Sequence, residues 1–282
     1  MQKPPTFLYH YTTQPGLIGI IESKSLWATK IHFLNDSSEY ELALSITKDL
    51  IETRVVSLQP GPKQVLLKEL NKNIYRIQYF NACVCSFSTQ KDLLSQWRAY
   101  AGSNGYALAF FTGQLQEKAE KNGFRLVPCV YDPDEQNALI NDVVDQMLAE
   151  LEISEKFSDS TKLDSMEFKN FINGIVDNYI IQIGQVAPLI KSPGFREENE
   201  WRLVSNEGVN YSDMHFRSGT STIIPYALFD LGPSITTLLH SIIIGPTPNP
   251  ILAKDGAFGL LYKAGIRHGN LLIHSEIPYR SW

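Results

Sequence analysis

Apolar residues along this chain of 282 residues recur at every second position or at helical spacing, in short stretches that predict intermixed strands and helices. Residues 7–11 predict a strand, and residues 14–23 predict a helix whose apolar side chains share one face. Asp36 and Glu39 have the spacing of a capping box at the start of a further helix. Other predicted helices cover residues 61–79, 92–101, 136–151 and 167–183, and other predicted strands cover 26–31, 81–88, 105–111, 201–205, 221–225, 241–245 and 271–275. This mixture, with its sheet-rich end, favours an α+β fold over a regularly alternating parallel sheet.

The sequence contains no obvious domain boundary. Its 15 prolines and 18 glycines are spread along the chain rather than gathered in a linker. We find no internal repeat of the length that repeat proteins show. We therefore expect a single domain over residues 1–282. Within it, residues 136–183 have helical spacing and much of the acidic charge, and we interpret them as a helical insertion.

The net charge of the protein limits the classes of partner that it can bind. With 25 Lys and Arg against 30 Asp and Glu, the net charge of −5 excludes a global positive field for non-specific nucleic-acid binding, although a local basic groove remains open. No apolar stretch approaches the ~20 residues that span a bilayer. The first ten residues also lack the apolar core of a signal peptide. We expect a cytoplasmic protein with no membrane contact.

Common catalytic motifs are absent from the sequence. It has no Gly-x-x-x-x-Gly-Lys phosphate loop, no Gly-x-Gly-x-x-Gly turn, no Gly-x-Ser-x-Gly elbow and no His-Glu-x-x-His. Cys83, Cys85 and Cys129 do not have metal-ligand spacing, and the six histidines lie on separate segments. We expect structural cysteines and no bound metal.

Two segments place polar side chains in apolar surroundings before a predicted helix. His10 lies in an aromatic strand, where it either contacts a ligand or is a core histidine bonded to a backbone carbonyl. A second strand ends in Ser88 and Thr89 and precedes a helix that carries Arg98 and Tyr100. These side chains either line one wall of a cleft or serve as a helix cap, a core residue and a solvated charge.

A third segment concentrates charge at the start of a late strand. In an extended chain, Glu198 and Glu200 would point to the same face. Two carboxylates on one face repel each other unless they are solvated, used in chemistry, or paired with Arg196 or Arg202. The alternative to a functional pair is a surface ion-pair network.

Seven separated blocks follow one another along almost the whole chain: Leu8–Thr12, Leu26–Thr29, Phe33–Glu39, Ser86–Ser88, Gln96–Tyr100, Glu198–Arg202 and Ile277–Arg280. In this order they resemble a widespread bacterial family of proteins of unknown function. That family is distantly similar to the ADP-ribosyltransferase superfamily, which includes diphtheria-toxin-like and DarT-like toxins. In the superfamily a first-strand His or Arg holds the NAD ribose, a later strand carries an aromatic-Ser-Thr-Ser segment or a tyrosine, and a late strand brings the catalytic Glu.

The resemblance implies an ADP-ribosyltransferase-like fold, in which a split antiparallel β-sheet core is surrounded by helices and carries the helical insertion. It implies that Glu200 is the catalytic carboxylate and that Glu198 faces the incoming nucleophile. The residues that it assigns to NAD binding are His10, Tyr11, Thr12, Ser88, Thr89, Arg98 and Tyr100. Position 90 is Gln where the Ser-Thr-Ser segment has Ser, so the subclass within the superfamily stays open.

The activity implied by the resemblance is cleavage of the nicotinamide–ribose bond of NAD and transfer of ADP-ribose to a protein or nucleic-acid acceptor. Such an enzyme uses NAD as substrate, needs no metal, and acts as a bacterial toxin or antiviral-defence effector with an antitoxin or inhibitor as partner. The alternatives are an NAD glycohydrolase and a catalytically silent nucleotide- or partner-binding module. The transferase reading predicts that His10, Ser88 and Glu200 converge on one cleft.

Overall fold

The computed structural model describes residues 3–34, 38–153, 163, 165–267 and 271–278. The predicted capping residue Asp36 lies outside these ranges, as does the end of the last block, Tyr279 and Arg280. The strands are β1 (Phe7–Thr12), β2 (Ser25–Lys30), β3 (Cys83–Ser88), β4 (Tyr106–Phe111), β5 (Phe124–Pro128), β6 (Glu200–Ser205), β7 (His215–Ser218), β8 (Ile223–Asp230), β9 (Leu239–Ile244) and β10 (Leu272–His274). The helices are α1 (Gln14–Ser23), α2 (Ser38–Ser57), α3 (Pro62–Asn73), α4 (Leu94–Gln96), α5 (Thr112–Lys121), α6 (Pro133–Ile153), α7 (Met166–Val186) and α8 (Pro250–Lys263).

The chain divides into two compact units, each assembled from separate stretches of sequence. The sheet unit comprises Met1–Lys30, Cys83–Pro128 and Arg196–Trp282, and it contains every described strand together with α1, α4, α5 and α8. The helical unit comprises Ile31–Ala82 and Cys129–Phe195, with α2, α3, α6 and α7. The segment interpreted as a helical insertion thus forms α6 and α7, and it shares its unit with α2 and α3.

The sheet divides at its central strand, β3. Along one edge, β3 pairs with β6 over five residues, from Val84 opposite Val204 to Ser88 opposite Glu200. Its other edge is shared by two strands. β1 pairs with it at Ser88, and β2 pairs with it at Cys83 and Val84. The described strand pairings are antiparallel except that between β9 and β10.

The two faces of the sheet unit bury different kinds of residue. One face carries the main hydrophobic core, to which α1, α5 and α8 contribute apolar side chains; those of α1 are the ones that its spacing predicts. The other face carries a smaller cluster around Tyr11 and Trp97, against which Tyr9, Tyr100 and Ile277 pack. Strand alternation separates the two, because Tyr9 and Tyr11 of β1 point to the aromatic cluster while Leu8, next to Tyr9, points to the main core.

The prediction of mixed helices and strands is confirmed, with differences in detail. The sequence analysis missed α5, β5, β7 and α8. The helix predicted over residues 92–101 is the single turn α4, which continues as a π-helical turn over Trp97–Ala101. In the part of the chain that the structure describes, no helix combines the length and apolarity needed to cross a membrane.

Candidate functional site

The three segments singled out in the sequence lie on adjacent strands in the order β1, β3, β6. Tyr9 is opposite Ser88, and Ser88 is opposite Glu200, so the three side chains form a row on one face of the sheet. Burial raises the pKa of Tyr9, which keeps its phenol protonated and able to donate a hydrogen bond. Sequence reasoning missed Tyr9, because the face of a strand residue is known only once its register is known.

His10 lies on the opposite face of β1 from this row. Its ring contacts Phe87, with 5.6 Å between ring centroids, and its Nδ1 is 3.6 Å from Sγ of Cys85. Nδ1 also lies 2.9 Å from the backbone carbonyl oxygen of Ser86, which can only accept, so Nδ1 carries the proton. Burial lowers the pKa of His10, which favours the neutral ring. The structure therefore brings the three strands together but does not bring the His10 ring onto the face of Glu200.

His10 bonds to β3 at the point where the neighbouring strand of β3 changes from β1 to β2. Ser86 lies between the positions where β3 pairs with β1 and with β2, at Ser88 and Val84. Its carbonyl has the His10 imidazole as a side-chain partner at that point. His10 thus bonds β1 to β3 between the end of the β1–β3 pairing and the start of the β2–β3 pairing. This is the arrangement of a core histidine bonded to a backbone carbonyl, which the sequence analysis considered.

Glu200 is held by a buried arginine two residues along the same strand. Nε of Arg202 donates to Oε1 of Glu200 at 2.7 Å, and Nη2 donates to Oε2 at 3.1 Å. Glu200 is only 5% exposed and Arg202 only 1%. The cluster is therefore not the surface ion-pair network considered above. The bidentate pair fixes the plane of the Glu200 carboxylate.

Glu198 and Glu200 do not lie on one extended strand, the arrangement in which they would point to the same face. β6 begins only at Glu200, and Glu198 ends the 3-10 segment Pro193–Glu198. Asn199 between them has a φ of 42°, in the left-handed region that asparagine tolerates better than most residues. The backbone thus departs from the extended conformation at Asn199, between the two glutamates.

Ser88 connects the backbone at Glu198 to β3. Its Oγ donates to the backbone carbonyl of Glu198 at 2.7 Å and accepts from the backbone N–H of Gln90 at 3.0 Å. The N–H of Thr89 donates to the carbonyl of Asn199 at 3.2 Å. Glu198 is buried, at 8% exposed. Ser88 and Thr89 therefore support the backbone that carries both glutamates.

Tyr11 and Thr12 also have structural partners. The Tyr11 hydroxyl donates to the carbonyl of Gln90 at 2.8 Å and accepts from the N–H of Leu93 at 3.1 Å. The Thr12 side chain occupies the space where a Cβ on Gly16 would lie, which explains the glycine there. Tyr11 thus positions the loop after β3, and Thr12 packs on the start of α1.

An open depression of about 540 Å³ lies beside Glu197 and the π-helical turn. It is lined by Leu93, Leu94, Ser95, Arg98, Ala99 and Glu197. Arg98 and Glu197 are exposed. Among the described residues, the buried Ser95 Oγ finds no hydrogen-bond partner. The π-helical turn that carries Arg98 also carries Tyr100, which packs against the aromatic cluster. Single π-helical turns occur frequently at functional sites.

Asp92 fastens the chain after β10 to this region. Its Oδ1 accepts from Trp97 Nε1 at 2.6 Å and from Ser275 Oγ at 2.7 Å, and its Oδ2 accepts from the N–H of Glu276 at 2.7 Å. These donors hold Ile277 next to the aromatic cluster. Sequence reasoning did not single out Asp92, because two of its three partners are more than 180 residues away.

The cysteines are free thiols within buried surroundings. Burial raises the pKa of Cys83 to about 11, and burial together with nearby Glu200 raises that of Cys85 as well. Both are therefore protonated and weakly nucleophilic at neutral pH. Across the described ranges, no three His, Cys, Asp or Glu side chains are grouped so that they could hold a metal ion.

The comparison with protein families bears on part of the chain. The family described as "Protein of unknown function (DUF2971)" matches residues 96–203, which is less than half of the 282 residues. This match confirms the resemblance to a family of unknown function over the stretch that runs from Gln96 to the Glu198–Arg202 block. No curated protein and no solved structure matches the chain significantly.

Proposed function

We propose that the chain is an NAD-dependent ADP-ribosyltransferase in which Glu200 stabilises the ribosyl cation. The observation that supports this proposal is the buried, bidentately held carboxylate of Glu200 on the strand next to Ser88 and one strand away from Tyr9. A carboxylate fixed in low-dielectric surroundings is suited to stabilise positive charge that develops on a substrate.

The proposed reaction begins with heterolysis of the nicotinamide–ribose bond. The bonding electron pair leaves with nicotinamide, whose ring loses its positive charge, and C1′ of the ribose becomes oxocarbenium-like, as in glycoside cleavage. Glu200 accelerates this step only as far as it favours the ribosyl cation over the already cationic ground state. The acceptor's lone pair then forms the new bond to C1′, and its proton passes to a carboxylate or to water.

We assign the remaining roles in the reaction to neighbouring residues. The Tyr9 phenol is a hydrogen-bond donor on the face of Glu200, and Tyr100 offers a ring for nicotinamide. Arg98 in the depression is suited to the pyrophosphate, since a guanidinium matches phosphate oxygens. Glu198 is assigned to the acceptor. His10 acts in this proposal as a positioning residue through its bond to Ser86 rather than as a ribose ligand.

The proposed biological role is that of a toxin or antiviral-defence effector with an antitoxin or inhibitor as partner. This role rests on the resemblance to the superfamily and not on a particular residue. The acceptor is a protein or a nucleic acid.

The test uses NAD labelled on the adenylate phosphate, incubated with the full chain alone, with bacterial lysate, and with single-stranded oligonucleotides. We expect nicotinamide release and transfer of label to an acceptor, and loss of both in Glu200→Gln. Glu117→Gln, an exposed glutamate of α5, is the matched control and should behave like the parent chain. Nicotinamide release without any labelled acceptor would instead identify a glycohydrolase, and no release at all would identify a silent binding module.

A second pair of variants tests the role of His10. His10→Asn keeps a donor near the position of Nδ1 and should retain most turnover, while His10→Gln places its amide near the position of Nε2 and should lose it. The opposite order would identify Nε2 as the group that contacts NAD and return His10 to the role of a ligand.

A further inference from the structure

Three aromatic rings form a ladder across β2, β8 and β7, the strands at one end of the sheet. Trp27 of β2 stacks on Tyr226 of β8, with 4.9 Å between ring centroids and 27° between ring planes. The Tyr226 ring is in turn 5.7 Å from that of His215 on β7, at 31°. Trp27 and Tyr226 are partly buried and His215 is exposed. Accessible aromatic rings on a sheet are surfaces on which a nucleobase can stack.

The ladder lies on the face of the sheet opposite the main core. Trp27 is flanked along β2 by Leu26 and Ala28, which both belong to the main core, so strand alternation directs its ring to the other face. Leu228, which is opposite Trp27 on β8, is 40% exposed. Helix α1 has a glycine beside the ring, because a Cβ on Gly19 would lie 2.9 Å from it. The fold thus makes room for Trp27 at a partly open surface.

Arg217 of β7 reaches across β8 to the same part of the face. Its Nη2 donates to Oγ1 of Thr29 on β2 at 3.3 Å. Thr29 is paired with Tyr226, so the guanidinium lies beside the ladder. Thr29 is also two residues from Trp27 along β2, a distance of about 7 Å at the usual rise of a strand.

The charge of Arg217 has no carboxylate partner among the described residues, and its buried Nε finds no hydrogen-bond partner there. Burial lowers the pKa of Arg217, although a guanidinium stays charged at neutral pH. By contrast, the buried Arg202 is paired with Glu200. Asp230 of β8 is paired with Lys118 instead. A partly buried cation of this kind favours an anionic ligand, and the guanidinium matches phosphate oxygens.

We infer that Trp27 and Arg217 form a binding site for a nucleotide, whose base stacks on the ladder and whose phosphate binds the guanidinium. A nucleotide carries a planar base and an anionic phosphate separated by one sugar, which suits a ring and a guanidinium about 7 Å apart. The Leu26–Thr29 block of the sequence, to which the proposed function gives no role, supplies the β2 part of this site. The inference does not depend on the proposed NAD chemistry, because neither residue belongs to the candidate site.

The test is isothermal titration calorimetry of the full chain with AMP and with adenosine, which lacks the phosphate. We expect AMP to bind more tightly than adenosine. Trp27→Leu should weaken both ligands about tenfold or more, because it removes the surface on which the base stacks. Trp27→Phe keeps an aromatic ring and should retain most of the affinity for both.

A second variant separates a phosphate ligand from a residue that only supports the fold. Arg217→Gln should weaken AMP about tenfold or more and leave adenosine unchanged, because it removes the charge that faces the phosphate. Arg76→Gln is the matched control, since it removes an arginine of the helical unit that is paired with Asp177, and it should change neither affinity. If Trp27→Leu does not fold by circular dichroism, the ratio of the two affinities in Arg217→Gln decides.

Short oligonucleotides identify the source of the nucleotide. If oligodeoxyadenylate or oligoriboadenylate binds at least tenfold more tightly than AMP, the site holds part of a nucleic-acid strand, and equal binding assigns it to a free nucleotide. Three outcomes would overturn the inference: no binding of AMP or either oligonucleotide at millimolar concentration, unchanged affinities in folded Trp27→Leu, or an Arg217→Gln variant that weakens AMP no more than adenosine.

Discussion

At the scale of single residues, the pair formed by Glu200 and Arg202 couples the proposed chemistry to stability. Replacing Glu200 by Gln removes the negative charge that Nε and Nη2 of the buried Arg202 guanidinium contact. Breaking a buried ion pair in this way costs about 3–5 kcal/mol. We therefore expect Glu200→Gln to lower the free energy of unfolding by this amount in urea titrations, and to lower NAD turnover about 10²–10³-fold.

The double variant Glu200→Gln with Arg202→Met separates the two effects. It removes both charges, so most of the lost stability should return while turnover stays low. Wild-type turnover in the folded double variant would contradict the role of Glu200, and the pair would then be purely structural.

His10 should make stability depend on pH. Its pKa in the folded chain is lowered from the ordinary value of 6.5, mainly by burial, so the unfolded chain binds a proton at a pH where the folded chain does not. Stability is then unaffected by His10 above pH 6.5 and falls as the pH decreases from 6.5 towards the folded-state pKa. His10→Asn, which keeps a donor for Ser86 but does not titrate in this range, should remove this part of the slope.

The measurement is the difference in urea midpoint between the parent chain and His10→Asn at pH values from 5 to 8. Other groups titrate equally in both proteins and cancel in the difference. A constant difference over this interval would show that the pKa of His10 is not lowered on folding.

At the scale of elements, the left-handed residue Asn199 joins the 3-10 segment to β6. A residue without a side-chain amide costs about 1–2 kcal/mol in this backbone region, whereas glycine adopts it freely. We expect Asn199→Ala to lower the thermal midpoint and Asn199→Gly to leave it nearly unchanged. Equal midpoints for the two variants would show that φ at this position relaxes without cost.

Helices and strands were predictable where the apolar residues follow either the helical or the strand period clearly. β1, α1 and β3 have clear periodicity and were predicted within two residues of their observed bounds. α8 was missed because its apolar residues point to solvent as well as to the core, which hides the helical period. β5 and β7 are too short to show an alternation of their own, and they become strands through pairing with β6 and β8.

For the candidate site, too, the features visible in the local sequence were predictable and those that depend on tertiary structure were not. The sequence singled out three segments that lie on adjacent strands, because unusual polar residues at strand ends are visible locally. It did not show that Tyr9 rather than His10 shares the face of Glu200, since that depends on register with β3. Nor did it show that Arg202 is buried against Glu200, because burial is set by the whole unit.

At the scale of the whole molecule, the stretch matched by the family of unknown function should not fold alone. Residues 96–203 contain β4 but lack β1 and β9, the two strands that flank it, and they contain most of β6 without β3. We expect a protein expressed as residues 96–203 to show no cooperative thermal transition by circular dichroism, whereas the full chain does. A sharp transition in the fragment would show that its helices suffice for an independent core.

The assembly of the sheet unit from three separated stretches has a consequence for synthesis on the ribosome. All residues of the helical unit have been made once Phe195 is added, whereas β4 still lacks its partner β9 and β2 still lacks its partner β8. At ~5–20 residues per second, β4 waits on the order of ten seconds between its own synthesis and that of β9. During this time the apolar strand Tyr106–Phe111 is an exposed edge of an unfinished sheet, and we expect nascent chains stalled before residue 200 to be the species that chaperones bind.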